Sequence, residues 1–308
     1  MTEHVTIVMA VYDGAEFLAA QMESFAGQTH RDWDLVISDD GSTDDSDKVI
    51  AEFAATHPVR VMAGPRAGGT MNFLSALVGI EGEPDYVAFS DQDDVWLPER
   101  LAHGIAALAS VPADRPALYG SATWIVEEDL TNPRRSPTFP HPPAFRNALV
   151  QSIAGGNTML LNRPAWEMAR DAAGEAMAVG GPYMHDWWLY QLISGAGGTV
   201  LRDNRPTLLY RQHGGNIFGT NRGRKAIKAR LKQVWRGDLK AWVDANIRAL
   251  DASRHRLTEE NQRLLAAFVD MRRAGLLSRL RGFAGLGLWR QGRVGQAMLW
   301  LAVLLKKL

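Results

Sequence analysis

The feature that most constrains this chain is the repeated alternation of short β-branched apolar runs with amphipathic stretches over its first 110 residues. Residues 5–11 (VTIVMAV) read as a buried strand, and residues 33–38, 59–62 and 86–90 as three more. Between them, residues 14–26 place Phe17, Leu18, Met22 and Phe25 at helical spacing. Ser42 and Thr43 are good N-caps for a helix reaching about residue 55, and residues 70–80 and 97–110 carry two further helices. Such alternation predicts an α/β fold with a mostly parallel central sheet flanked by helices.

Downstream the pattern loosens. Residues 118–126 predict a strand, residues 132–143 a proline-rich loop, residues 157–161 a strand and residues 184–194 a helix. Residues 199–211 predict another strand, interrupted at Pro206. Helical periodicity then runs over 224–250 and 258–273, and residues 294–305 are strongly apolar before Lys306-Lys307. The expected organisation is a sheet-based domain over residues 1–220 and a basic amphipathic helical region over residues 221–308.

Charge supports that division. The 308 residues sum to zero, yet residues 1–220 hold 14 Lys+Arg against 28 Asp+Glu, and residues 221–308 hold 20 against 6. The first region is therefore at −14 and the second at +14, which predicts that the second faces something anionic. The absence of cysteine excludes disulfide scaffolds, thiolate metal clusters and thiol catalysis. No cationic segment precedes an apolar run at the N-terminus, and no stretch reaches the ~18 apolar residues of a membrane span. A cytoplasmic protein, soluble or lying on a surface, is expected.

Chemistry concentrates in a few places. Ser90-Asp91-Gln92-Asp93-Asp94 directly follows an apolar strand, and in open α/β sheets ligands bind beyond the carboxyl ends of the strands. Crowded carboxylates repel unless neutralised, and Mg²⁺ or Mn²⁺ held with a substrate diphosphate would do so. A solvated acidic loop that caps the next helix is the alternative. A second acidic turn, residues 38–44 (SDDGSTD), suits strand-to-helix geometry and also nucleobase recognition. Gly156 and Asn157, in a glycine turn, are expected to line an acceptor surface. Trp187 and Trp188 offer faces for sugar stacking, although tryptophan is equally a core residue.

Residues 5–12, Gln28-Thr29, 39–44 and 91–94, in that order, resemble inverting family 2 glycosyltransferases of the GT-A fold, a likeness running from about residue 5 to residue 219. Residues 90–97 (SDQDDVWL), His185-Asp186-Trp187-Trp188 and residues 210–219 (YRQHGGNIFG) are similar to a narrower branch. That branch contains bacterial rhamnosyltransferases that build cell-surface polysaccharides from dTDP-L-rhamnose. The resemblance implies that Ala10, Val11 and Tyr12 pack around base and ribose and that Asp40 hydrogen-bonds the pyrimidine. It implies metal binding by Asp93, with Asp91 on the ribose or metal-bound water and Gln92 at the variable middle position. Arg66 and Asn72 would complete the nucleotide pocket, although Gly68-Gly69 departs from the usual asparagine–glycine pattern. His213 would touch the diphosphate or the metal, with Arg211 balancing phosphate charge. His185-Asp186 would be the acid–base element, Asp186 deprotonating the acceptor hydroxyl; capping of the helix is its structural alternative.

The expected function is metal-dependent inverting transfer of L-rhamnose from dTDP-L-rhamnose to a hydroxyl of a lipid-linked cell-surface glycan. A UDP-hexose donor, a non-catalytic nucleotide- or sugar-binding protein and a phosphohydrolase are the alternatives. The last is disfavoured because Ala10-Val11-Tyr12 stands where an aspartate nucleophile would. Arg222, Arg224, Lys225, Lys228, Arg230, Lys232 and Arg236 fall at helical spacing. Together with the apolar C-terminus they predict peripheral docking on anionic lipid at the inner face of the plasma membrane, through Leu299, Trp300, Leu301 and Leu304. A helical bundle or a homodimer interface is the alternative. Nucleic acid is not expected, since the acidic body would repel it.

Overall fold

The computed structural model describes residues 3–214 and 236–308. In chain order its elements are β1 (Val5–Val11), α1 (Ala15–Ala26), β2 (Trp33–Asp39), α2 (Ser46–Ala54), β3 (Val59–Ala63), α3 (Gly69–Val78) and β4 (Tyr86–Ser90). Then come β5 (Val95–Trp96), α4 (Arg100–Leu108), β6 (Ala117–Glu127), β7 (Arg134–Arg135), α5 (Phe145–Ala148), β8 (Leu160–Asn162), α6 (Arg163–Ala178), α7 (His185–Gly195) and β9 (Thr199–Gln212). Four helices follow: α8 (Asp238–Ala252), α9 (Glu259–Arg273), α10 (Leu276–Leu286) and α11 (Arg293–Leu304).

The strands form one mixed sheet in the order β3-β2-β1-β4-β8-β6-β9-β5, with β7 on β6. The β3-β2-β1-β4 half is parallel throughout. The other half reverses at β8 and again at β5, both antiparallel to their neighbours. Along β1, Val5, Ile7, Met9 and Val11 pack with Leu18, Met22 and Phe25 of α1, while Val8 packs with Phe73 and Leu77 of α3. Burial on both faces explains why β1 is a continuous apolar run rather than an alternating one.

Three expectations change. β9 is not interrupted at Pro206 but runs through it, because Pro206 pairs with Ala122 between two register shifts, where a missing N–H is tolerated. The segment expected as a strand at 157–161 opens as a 3₁₀ turn, Gly156–Thr158, and only then becomes β8. α6 has no counterpart among the expected helices: its buried face is mostly Ala165, Ala169, Ala172, Ala173 and Ala176, too weakly apolar to stand out as a stripe. Its start is nevertheless well specified, by Asn162 accepting from the Ala165 N–H and by Pro164 in the first turn.

The sign of the charge changes at residue 220, but the core does not. Leu239, Val243, Leu264, Phe268, Phe283, Leu299 and Val303 share one hydrophobic cluster with Trp166, Trp188 and Leu189. Some of the tail's cations are already paired to carboxylates, Arg256 to Glu175 at 2.8 Å and Arg272 to Asp244 at 2.7 Å. Of the basic residues from 222 to 236, all but Arg236 lie outside the described residues, as does the stretch from Gly215 to Gly219. Among the described residues no helix is long and apolar enough to cross a membrane.

Candidate active site

β1 pairs with β2 from Val5 opposite Trp33 to Val11 opposite Asp39, and with β4 up to Met9 opposite Ser90. The three strands therefore deliver Tyr12, Asp40 and Asp91 to the same sheet edge, at the point where strand order reverses. A cavity of about 700 Å³ opens there. Ala10, Val11, Tyr12, Asp40, Arg66, Asn72, Asp91, Gln92 and Asp93 all line it, and so do Gly68, Thr70, His185 and Tyr210.

Hydrogen bonds fix the rim. The Gln92 amide accepts from the Tyr12 N–H at 2.9 Å and donates to the Tyr12 carbonyl at 3.0 Å, so the middle residue of the acidic turn clamps the end of β1. Gly14 leaves room for this clamp, since a Cβ there would lie 2.6 Å from Gln92 Oε1. The Asp40 carboxylate accepts from the backbone N–H groups of Arg66 at 2.6 Å and Gly68 at 2.8 Å, which shapes the β3–α3 loop; lone pairs remain for a further donor. Asn72 is buried and donates to the carbonyls of Ser38 and Val11, so it ties β1 to β2 at the cavity floor. Gln28 donates to the Leu97 carbonyl and accepts from the Leu101 N–H, holding the chain just after the acidic turn against α1.

Carboxylate oxygens of Asp91, Asp93 and Asp94 lie within 4.8 Å of one another. Two like charges at that distance repel by about 3–4 kcal/mol at an effective dielectric near 20, far more than a helix cap contributes. Burial, then the charges of Asp93 and Asp186, push Asp91 up to about 8. Burial also pushes Asp94 well above the usual carboxylate range. Asp94 is committed to the scaffold, accepting from the Asn157 amide and the Arg211 N–H. Asp91 and Asp93 remain on the cavity, and His213 Nε2 approaches Asp93 Oδ2 to 2.7 Å while its ring lies 4.7 Å from Phe17. Two hard oxygen donors on the cavity wall suit a divalent cation; His213 does not line the cavity and meets this group through Asp93.

α7 carries the remaining acid. Its first residue is His185, so Asp186 lies inside the first turn and is not the cap; Met184 occupies that position. Burial pushes Asp186 up to about 6, against backbone N–H donation from Trp187 and Gly156. The helix N-terminus favours its charged form by about 0.3–1 kcal/mol, which does not offset the burial. Asp186 lines a second cavity, of about 400 Å³, and Met184 lines both.

A sequence model described as Glycosyl transferase family 2 matches residues 6–164, just over half of the chain. The chain belongs to glycosyl transferase family 2. It is 28% identical over 236 residues to the dTDP-rhamnosyl transferase RfbG of Shigella flexneri, covering 73% of this chain and 78% of that protein. It is also 28% identical over 105 residues to the Escherichia coli UDP-Glc:alpha-D-GlcNAc-diphosphoundecaprenol beta-1,3-glucosyltransferase WfgD, covering 34% of this chain and 40% of that protein. The solved structure of S. aureus TarS 1-349 in complex with UDP-GlcNAc superposes with a TM-score of 0.56 at 16% identity, over 86% of this chain and 70% of that one. That likeness shows the shared GT-A fold, and family membership sets the phosphohydrolase reading aside.

Within this glycosyltransferase several expected assignments move. Arg211 does not line the donor cavity: it is buried behind the acidic turn and donates to the carbonyls of Asp93 and Glu128. Asn157 does not line an acceptor surface, because its side chain is buried on Asp94. Gly156 is buried as well; a Cβ there would lie 2.1 Å from His185 Nε2, so its role is to admit that ring. Trp188 is wholly buried in the core and has no face for a sugar. Trp187 borders the second cavity, its indole N–H held by the Ala148 carbonyl. His185 is stacked on Phe73 at 4.0 Å and burial drives it down to about 3, so it is a neutral spacer and not an acid. The sequence pattern does not single out Asp94, Gly68 or Tyr210. Asp94 stands in the acidic run, but nothing there distinguishes its buried side from the open one.

Proposed function

We propose that this glycosyltransferase moves L-rhamnose from dTDP-L-rhamnose, with inversion and with the help of Mg²⁺ or Mn²⁺, to a hydroxyl of a lipid-linked cell-surface glycan. The observation that carries the mechanism is the position of Asp186, a buried carboxylate whose charge acts on Asp91 at the donor cavity while its side chain borders a second cavity. A single displacement needs one base at that junction, and a carboxylate titrating near 6 is both deprotonated at neutral pH and basic enough to accept a proton. Ala10, Val11 and Tyr12 would flank the base and ribose, and Asp40 would accept from the pyrimidine. Asp91 and Asp93, with His213 bonded to Asp93, would hold the divalent ion, which supplies charge neutralisation for the departing diphosphate.

The sugar and nucleotide rest on the similarity to the dTDP-rhamnosyl transferase of Shigella flexneri. A UDP-hexose donor is the second reading, supported by the UDP-glucose-dependent relative of Escherichia coli. Release of nucleoside diphosphate from dTDP-rhamnose, UDP-glucose and UDP-GlcNAc, each with Mn²⁺ and with excess chelator, decides between them. Release confined to dTDP-rhamnose and lost in chelator is expected. Faster release from a UDP-sugar overturns the donor, and full activity in chelator overturns the metal.

Peripheral docking at the inner face of the plasma membrane belongs to the same proposal, with a changed surface. Leu299 is buried and cannot insert. Among the described residues, the large exposed apolar side chains of this region are Leu276, Leu277, Val294, Trp300, Leu304 and Leu305, on or beside α10 and α11, in a region of net positive charge.

A further inference from the structure

Four consecutive backbone N–H groups where β1 turns into α1 are held by side chains from other segments, one apiece. Asp13 donates to Ser42 Oγ at 3.0 Å, Gly14 to Ser46 Oγ at 2.9 Å and Ala15 to Asp44 Oδ2 at 2.9 Å, all from the chain that joins β2 to α2. The fourth, Tyr12, donates to Gln92 Oε1, and its carbonyl accepts from Gln92 Nε2. Of the four, only this one reaches the acidic turn after β4. The β1–β4 ladder ends at Met9 opposite Ser90, so the Gln92 amide takes over where β4 has run out, meeting the Tyr12 peptide as a neighbouring strand would. Both bonds demand the same orientation of the amide, because a flipped one would set donor against donor and acceptor against acceptor.

This bracing has something to hold. Asp13 sits at φ +44°, in the left-handed region, a conformation that costs a non-glycine residue free energy and persists where its surroundings over-determine it. Tyr12 beside it is 58% exposed and lines the donor cavity, so the direction of its ring follows from the backbone that carries it. We propose that Gln92 is a positioning residue for nucleoside binding, one that acts through the Tyr12 backbone and ties the acidic turn to the base-and-ribose side of the cavity. The proposal rests on the nucleotide-sugar reading above and gives the middle residue of the acidic turn a role independent of the ion. Asp91 and Asp93 bring charged oxygens that suit a cation; Gln92 between them brings an uncharged amide that matches a peptide group. It moves no proton and touches no reacting atom, so its loss falls on affinity and not on rate.

Gly14 offers a second, independent way to open the clamp. The three atoms nearest to a Cβ built there all belong to the Gln92 amide group, at 2.6, 2.7 and 3.0 Å, and the Gly14 backbone, at φ −107°, is open to alanine. Gly14→Ala therefore pushes the amide away from Tyr12 without straining the turn. A double-mutant cycle over the two positions is read by calorimetric titration of dTDP, or of UDP where the release assay selects a UDP-sugar, in Mn²⁺ and in excess chelator. Gln92→Ala and Gly14→Ala should each weaken binding about fivefold in both media, the scale of one or two lost hydrogen bonds. The double variant should again lose about fivefold, where independent effects would multiply to about twenty-five-fold. Asp93→Ala is the contrast, with its loss confined to Mn²⁺. In acceptor-free release Gln92→Ala should raise KM for the nucleotide sugar and leave kcat within about twofold, whereas a loosened fold would lower kcat and the melting temperature of the unliganded protein together.

A loss seen only in Mn²⁺ makes Gln92 part of the ion's turn and overturns the proposal, as does wild-type binding that vanishes in chelator. Multiplication of the two single effects overturns the clamp. Should Gly14→Ala fail to fold, Gln92→Ala set against Asp93→Ala in chelator decides alone. Failure of the wild type to bind either nucleotide in Mn²⁺ overturns the glycosyl-transfer reading instead.

Discussion

The two cavities that meet near Asp186 are made in different ways. The donor cavity sits on the carboxyl ends of parallel strands, where each strand hands over to a short turn and the turn residues do the chemistry: Tyr12 after β1, Asp40 after β2, Asp91 to Asp93 after β4. The second cavity is walled by helix faces and connecting loops, with contributions as far apart as Val150 and Met298. A strand-end site concentrates its residues in short, polar, recognisable runs. A helix-walled site spreads them among core positions, where the same tryptophan or methionine would serve for packing alone. On the proposed reading the first kind would hold the nucleotide and the second would face the acceptor.

Removing the group at the junction has the largest expected effect. Asp186→Asn preserves shape but not basicity, so turnover should fall about 10²–10⁴-fold while nucleotide binding survives, because Asp186 is not part of the donor cavity wall. A loss below tenfold would return Asp186 to a helix-terminus role. On the donor side, Asp93→Ala removes an oxygen ligand and the partner of His213; transfer should drop about a hundredfold or more, together with metal-dependent nucleotide binding. Intact binding in the presence of Mn²⁺ would break the assignment of the acidic turn to a metal.

The pH profile separates the halves more gently. The base works deprotonated, and burial places Asp186 at about 6, so activity should decline about tenfold per pH unit below that value. A limb near 4 instead would mean that the carboxylate is solvated during turnover. The smallest effect concerns the exposed apolar surface on α10 and α11. Leu277→Glu with Leu304→Glu should weaken binding to anionic vesicles by roughly tenfold and leave transfer to a water-soluble acceptor intact. Loss of a dimer in sedimentation, with vesicle binding unchanged, would make the patch a subunit interface instead.

How much of the molecule is legible in the sequence follows the same division. β1, β2 and β4 are mostly apolar runs ended by polar turns, and nine residues assigned from those turns and their neighbours line one cavity. Failures come where a residue's direction matters more than its type. Asn157, Arg211 and Trp188 have the right chemistry for ligand contact, but each is turned inward, onto Asp94, onto carbonyl oxygens and into the core. α6 is invisible in the pattern because alanine buries a face without raising apolar contrast. The C-terminal helices read as a charged appendage because charge is counted along the chain, whereas their place in the shared core depends on Phe268, Phe283 and Leu299 meeting residues far away in sequence, such as Trp166.

The central claim is a single displacement with Asp186 as the base, and the product's anomeric configuration tests it most directly. Proton NMR of the glycoside formed from dTDP-L-rhamnose, recorded during turnover, should show the configuration opposite to that of the donor from the first product onward. Retention would require a covalent or otherwise two-step path through a second nucleophile, and would contradict Asp186 acting as the base of a single displacement.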